Sequence, residues 1–99
     1  MTERILLIED DPRLAEMVKN YLGEAGFAVT VSSHGVAGVA LEAKEPFDAL
    51  VLDLMLPDID GITVMRQLRD DGIVAPFLII SALGEVDDRV RGLRAGQFP

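Results

Sequence analysis

Apolar residues fall in four short runs, each followed by a stretch with helical spacing. Arg4-Ile5-Leu6-Leu7-Ile8 is continuously apolar after Arg4 and stops abruptly at Glu9-Asp10-Asp11. A run without alternation predicts a strand buried on both faces. Asp11-Pro12 then reads as a helix start, with Asp11 as N-cap and Pro12 in the first helical position. Leu14, Val18, Tyr21 and Leu22 recur at helical spacing, and Gly23 or Gly26 ends that first helix. Phe27 to Val31 predicts a second, more alternating strand. Val36, Val39, Ala40 and Ala43 mark a short second helix closed by Pro46. Ala49 to Leu52 is a third strand, wholly apolar, ending at Asp53. Pro57, Asp58, Asp60 and Gly61 form a turn-rich loop, and Ile62, Met65 and Leu68 line a third helix up to Gly72. Phe77 to Ile80 predicts a fourth strand ending at Ser81, and Val86, Val90 and Leu93 mark a fourth helix up to Gly96. Strict alternation of strand and helix predicts an α/β domain with a parallel sheet and right-handed crossovers.

Composition narrows the class. At 99 residues, 49% apolar and 26% charged, the chain reads as one globular domain spanning 1–99. Without cysteine it has neither disulfides nor thiolate metal sites. The apolar runs are too short to cross a bilayer, and Met1-Thr2-Glu3-Arg4 is unlike a signal peptide, so a cytoplasmic protein without membrane association is expected. The net charge of −8 argues against nucleic-acid binding by this chain and suits a metal cation or a basic partner surface. Of the four methionines, Met17 and Met65 are assigned to core packing, and His34, the single histidine, to the surface, on the wrong strand end for a catalytic triad.

In an open parallel sheet, ligands sit beyond the carboxyl ends of the strands. Here those ends carry Glu9-Asp10-Asp11, Asp53 and Ser81. If the first and third strands are neighbours, Glu9, Asp10 and Asp53 converge. Carboxylates that close repel and raise one another's pKa unless a hard cation joins them, and an incomplete oxygen cluster suits Mg²⁺. An aspartate there can also act as a nucleophile toward phosphorus, with a metal neutralising phosphate charge. A hydroxyl at position 81 can donate to a phosphoryl oxygen, or cap the turn that follows it.

The segments Ile5-Leu6-Leu7-Ile8-Glu9-Asp10-Asp11, Leu52-Asp53-Leu54-Met55-Leu56-Pro57-Asp58 through Gly61, and Ile79-Ile80-Ser81-Ala82 resemble the receiver domain of two-component response regulators. Residues 87–93 and Ala95-Gly96 are similar to the OmpR/PhoB-like, winged-helix transcription-regulator subgroup. The resemblance implies a flavodoxin-like, doubly wound sheet of strand order 2-1-3-4. It implies that Asp53 accepts a phosphoryl group from the phosphohistidine of a sensor histidine kinase. Asp10 and Asp53 would ligate Mg²⁺ by their side chains, Met55 by its backbone carbonyl, and Glu9 through a metal-bound water. Ser81 would contact the phosphoryl group and relay the switch, and Ala82 would leave room for it. Such a domain is a phosphoacceptor and not an enzyme in the ordinary sense; at most it catalyses its own phosphorylation and dephosphorylation. A phosphohydrolase with an aspartate nucleophile is disfavoured, because Asp53 follows the third strand and lacks a second aspartate two residues on.

The family pattern continues into a fifth strand, a phosphate-pairing lysine and a fifth helix, which these 99 residues do not include. The expectation drawn from this is a truncated receiver impaired in switching, with an exposed sheet edge that favours a homodimer or other self-association through C-terminal elements. The alternative function is a self-associating interaction module with vestigial phosphorylation.

Overall fold

The computed structural model describes residues 2–80. The predicted fourth helix, Ser81 and Ala82 lie outside them. Within them the chain runs β1 (Arg4–Ile8), α1 (Pro12–Glu24), β2 (Ala28–Ser32), α2 (Gly35–Lys44), β3 (Ala49–Asp53), α3 (Gly61–Asp70) and β4 (Phe77–Ile80). All pairings are parallel and the strand order is β2-β1-β3-β4. This is the flavodoxin-like order expected above, with β2 one residue later than its apolar run suggested.

The unbroken apolar runs of β1 and β3 follow from cover on both faces. Ile5, Leu7 and Val51 face α1, joined by Ala15 and by the partly buried Val18, Leu22 and Phe27. Leu6, Ile8, Leu50 and Leu52 face the other way, into a larger cluster with Val39, Val64, Met65, Leu68, Phe77 and Ile79. Met65 is therefore core, as expected.

Helix-face expectations fail on two helices. Met17 is 61% exposed and Tyr21 73% exposed; on α1 the sheet is met by Ala15, Val18 and Leu22 instead. Met17, Val18, Tyr21 and Leu22 line an apolar hollow of about 350 Å³ with Val51, Leu78 and Ile80. On α2, Val36, Ala40 and Ala43 are exposed, and the inward face is Gly35, Gly38, Val39 and Glu42. Close approach decides it: a Cβ at Gly38 would lie 2.8 Å from Ile8 Cγ1, so only glycine lets the helix down onto β1. Glu42 is buried because its Oε2 accepts the Phe47 N–H at 3.1 Å, closing the α2–β3 turn. Burial raises its carboxyl pKa.

Helix ends are set by short polar side chains. Asp11 Oδ1 accepts from Arg13 N–H (2.9 Å) and Leu14 N–H (3.4 Å), with Pro12 behind it, as the sequence predicted. Asp60 Oδ1 caps α3 by accepting from Thr63 N–H at 2.8 Å. No helix among the described residues is long and apolar enough to cross a membrane.

Candidate functional site

Register brings the acidic residues together. Ile8 pairs with Leu52, so the next positions, Glu9 and Asp53, stand level at the carboxyl edge of two neighbouring strands. Because side chains alternate across a sheet, neither can join Ile8 and Leu52 in the larger cluster. Glu9 is tied to the edge by its N–H, which donates to Ser32 O at 2.9 Å. Glu9 and Asp53 are each 1% exposed, whereas Asp10 is exposed. One carboxylate oxygen from each of the three lies within 4.8 Å of the other two.

The electrostatics are those of an uncompensated site. Glu9 Oε2 accepts the Asp11 N–H at 3.0 Å, but Glu9 Oε1 is buried without a hydrogen-bond partner among the described residues. Burial, opposed by the Asp11 N–H and reinforced by Asp53, pushes the Glu9 carboxyl up to about 8. Burial also raises Asp53, against the Met55 N–H that donates to its Oδ1 at 3.2 Å. An orphaned buried carboxylate oxygen beside two further carboxylates is a donor set that fits a hard divalent cation with oxygen ligands and retained water.

The loop after β3 is shaped by glycine and aspartate. Gly61 N–H donates to Leu54 O at 2.9 Å. A Cβ at Gly61 would strike the Asp53 carbonyl oxygen and lie 3.1 Å from Leu54 Cα. Gly61 therefore shapes the loop, as the sequence suggested. The Met55 side chain is 65% exposed. Two features were not foreseen. Asp58 Oδ1 and Oδ2 accept from Gly35 N–H and Val36 N–H, each at 2.9 Å, bonds that span 23 and 22 residues. His34 is exposed as expected, but a loop leaving the end of parallel β2 lies on the same sheet edge as the carboxylates, not on the opposite one.

The response regulator receiver domain model matches residues 5–98. The chain belongs to the receiver domain family. This receiver is 40% identical over 93 residues to the probable transcriptional regulatory protein SilR of Salmonella typhimurium, covering 94% of the chain and 41% of SilR. It thus spans about two fifths of that curated relative's length. Its fold is similar to the receiver domain of the Francisella response regulator 1452, with a TM-score of 0.84, 32% identity, and coverage of 96% of this chain and 78% of the other. It is equally similar to the BeF3-activated N-terminal receiver domain of Klebsiella pneumoniae RstA, with a TM-score of 0.83, 31% identity, and coverage of 94% and 79%. A receiver of a response regulator is a signalling domain, which agrees with the non-enzymatic reading of the sequence.

Proposed function

We propose that this receiver accepts a phosphoryl group on Asp53 from the phosphohistidine of a sensor histidine kinase, with Mg²⁺ held by Glu9, Asp10 and Asp53. The observation that carries the reading is the convergence of these three carboxylates with Glu9 Oε1 left unpartnered. In the transfer, an Asp53 carboxylate oxygen forms a bond to phosphorus while the phosphorus–nitrogen bond breaks, and the imidazole leaves to take up a proton. Bound Mg²⁺ supplies positive charge against the phosphoryl oxygens. The Met55 N–H orients the Asp53 carboxylate through Oδ1, leaving Oδ2 as the attacking atom. Asp10, exposed beside the buried pair, offers the open side of the site. The Met55 carbonyl, Ser81 and Ala82 keep the roles that the family resemblance gives them. By likeness to SilR, the signal is proposed to serve transcription, and a cytoplasmic location is proposed from the sequence. With a net charge of −8, these residues supply the input side and not the nucleic-acid contact.

The test is incubation with acetyl phosphate and Mg²⁺ followed by intact mass. One phosphoryl group should be gained, and both Asp53→Asn and chelation of the metal should abolish the gain. No gain in the wild type, or a gain that survives Asp53→Asn, refutes the reading. A second reading, self-association with vestigial chemistry, is favoured by the apolar hollow that Met17, Tyr21 and Leu78 leave open among the described residues. A stable monomer at micromolar concentration in analytical ultracentrifugation would refute it.

A further inference from the structure

The loop from Leu54 to Asp60 is closed at its base by its own strand and helix, through Gly61 N–H to Leu54 O and through Asp60 on Thr63. Neither tie fixes its tip. Among the described residues, its only side-chain hydrogen bonds to another element are those of Asp58 to Gly35 and Val36, the first two residues of α2. That helix has a vacancy of the right kind: its own N-cap residue, His34, makes no side-chain cap bond. Asp58 fills it from another part of the chain, one carboxylate oxygen on each N–H, at the end of the helix where backbone dipoles favour negative charge. Ile59 packs at the same place, since a Cβ on Gly35 would lie 2.6 Å from Ile59 Cγ1. Missing bulk at Gly35 and the paired bonds of Asp58 therefore seat the loop tip on α2 together.

We infer that Asp58 is a positioning residue for the carboxylate site: by clamping the 54–60 loop to the N-terminus of α2, it holds Met55 where its N–H orients Asp53. The chain of contacts is short, because Met55 lies three residues from Asp58 and donates to Asp53 Oδ1 at 3.2 Å. The two N–H groups of Val36 and Gly35 also keep the Asp58 carboxyl low, at about 2, so the clamp is charged at any working pH. The inference rests on the proposed cation-binding role of Glu9, Asp10 and Asp53. Its value for function is that α2, which touches none of the three carboxylates through a side-chain hydrogen bond, becomes part of what sets their geometry.

The experiment uses the 99-residue chain and its Asp58→Ala and Asp58→Asn variants. Amide hydrogen exchange is followed at Met55, Gly35 and Val36 without metal, and Mg²⁺ affinity is measured by titration. Asp58→Ala should speed exchange at Met55, not only at Gly35 and Val36, and should weaken Mg²⁺ binding about three- to tenfold. That is somewhat below the roughly ten- to hundredfold cost of losing a direct partner of a metal ligand. Asp58→Asn keeps an acceptor for only one of the two N–H groups and turns its NH2 toward the other, so it should fall between wild type and Asp58→Ala in both readouts. If Asp58→Ala does not fold, Asp58→Asn decides: exchange at Met55 must be faster than in wild type, and unchanged exchange there overturns the inference. Unchanged Met55 exchange and unchanged affinity in Asp58→Ala, with loss confined to the α2 amides, overturn the inference and leave a simple helix cap. Wild-type protein that binds no Mg²⁺ refutes the metal reading instead, and exchange at Met55 still decides the clamp.

Discussion

Replacing Glu9 by glutamine keeps the shape of a buried side chain and removes its charge, which isolates the electrostatic cost of the site. Glu9 ordinarily titrates at 4.5 and is pushed up to about 8 in the fold, chiefly by burial. For an acid raised in this way, the folded state holds its proton more tightly than the unfolded state. Stability from this group is therefore complete below about pH 4.5 and is lost as pH rises through about 8. The full linkage value is at most about 5 kcal/mol. Asp10 opens one side of the site to water and Asp53 shares the charge, so about 2–3 kcal/mol is the magnitude to expect. Without metal, wild type and Glu9→Gln should melt together near about pH 5 and diverge above it. Near about pH 8.5 the variant should melt higher by on the order of 10 °C, given roughly 4–8 °C per kcal/mol for a domain of this size. Mg²⁺ at about a hundredfold the wild-type Kd should stabilise wild type by about 2.7 kcal/mol and the variant by less, so the gap between them should narrow. Thermal melts followed by circular dichroism at the two pH values, with and without Mg²⁺, read all of this. A wild-type profile flat from about pH 5 to 8.5, or a variant less stable than wild type at high pH without metal, refutes the reasoning.

Three further perturbations test other parts of the structure. Leu68→Ala, at a side chain 1% exposed in the larger cluster, should lower the stability measured in urea by about 2–5 kcal/mol. Gly61→Ala drives a methyl group against the Asp53 carbonyl and should cost about 1–3 kcal/mol, with amide shifts concentrated at Asp53, Leu54 and Met55 in NMR spectra. Glu42→Ala strands the buried Phe47 N–H and should cost about 1–3 kcal/mol. Glu42→Gln should instead gain on wild type as pH rises, since burial raises the carboxyl of Glu42.

What the sequence made legible follows the physics of its elements. The strands β1 and β3 were plain because cover on both faces demands an apolar residue at every position, and their abrupt ends drew attention to Glu9 and Asp53. The Asp11-Pro12 helix start was equally plain, because a cap is a local device. The inward face of α2 was not legible. Gly38 and Glu42 are buried there for reasons that hydropathy does not carry: one for its missing side chain, the other for a bond to a turn five residues on. Met17 and Tyr21 misled for the opposite reason, being apolar yet exposed beside a hollow they share with Val51, Leu78 and Ile80. Asp58 sat in view within a turn-rich loop, but its partners lie 22 and 23 residues earlier and exist only once α2 and the loop are packed together.

The pairing of Ile8 with Leu52 has a consequence for how errors in this protein would show themselves. A one-residue slip between β1 and β3 would exchange the faces of every side chain on the shifted strand. It would carry a carboxylate from the rim into a layer of leucine, isoleucine and valine, and would separate the acidic trio. Correct topology and a competent site thus share one checkpoint. A substitution that loosens this pair of strands should disable the site while most of the helical signal survives, so damage to the fold would be noticed first as a loss of signalling.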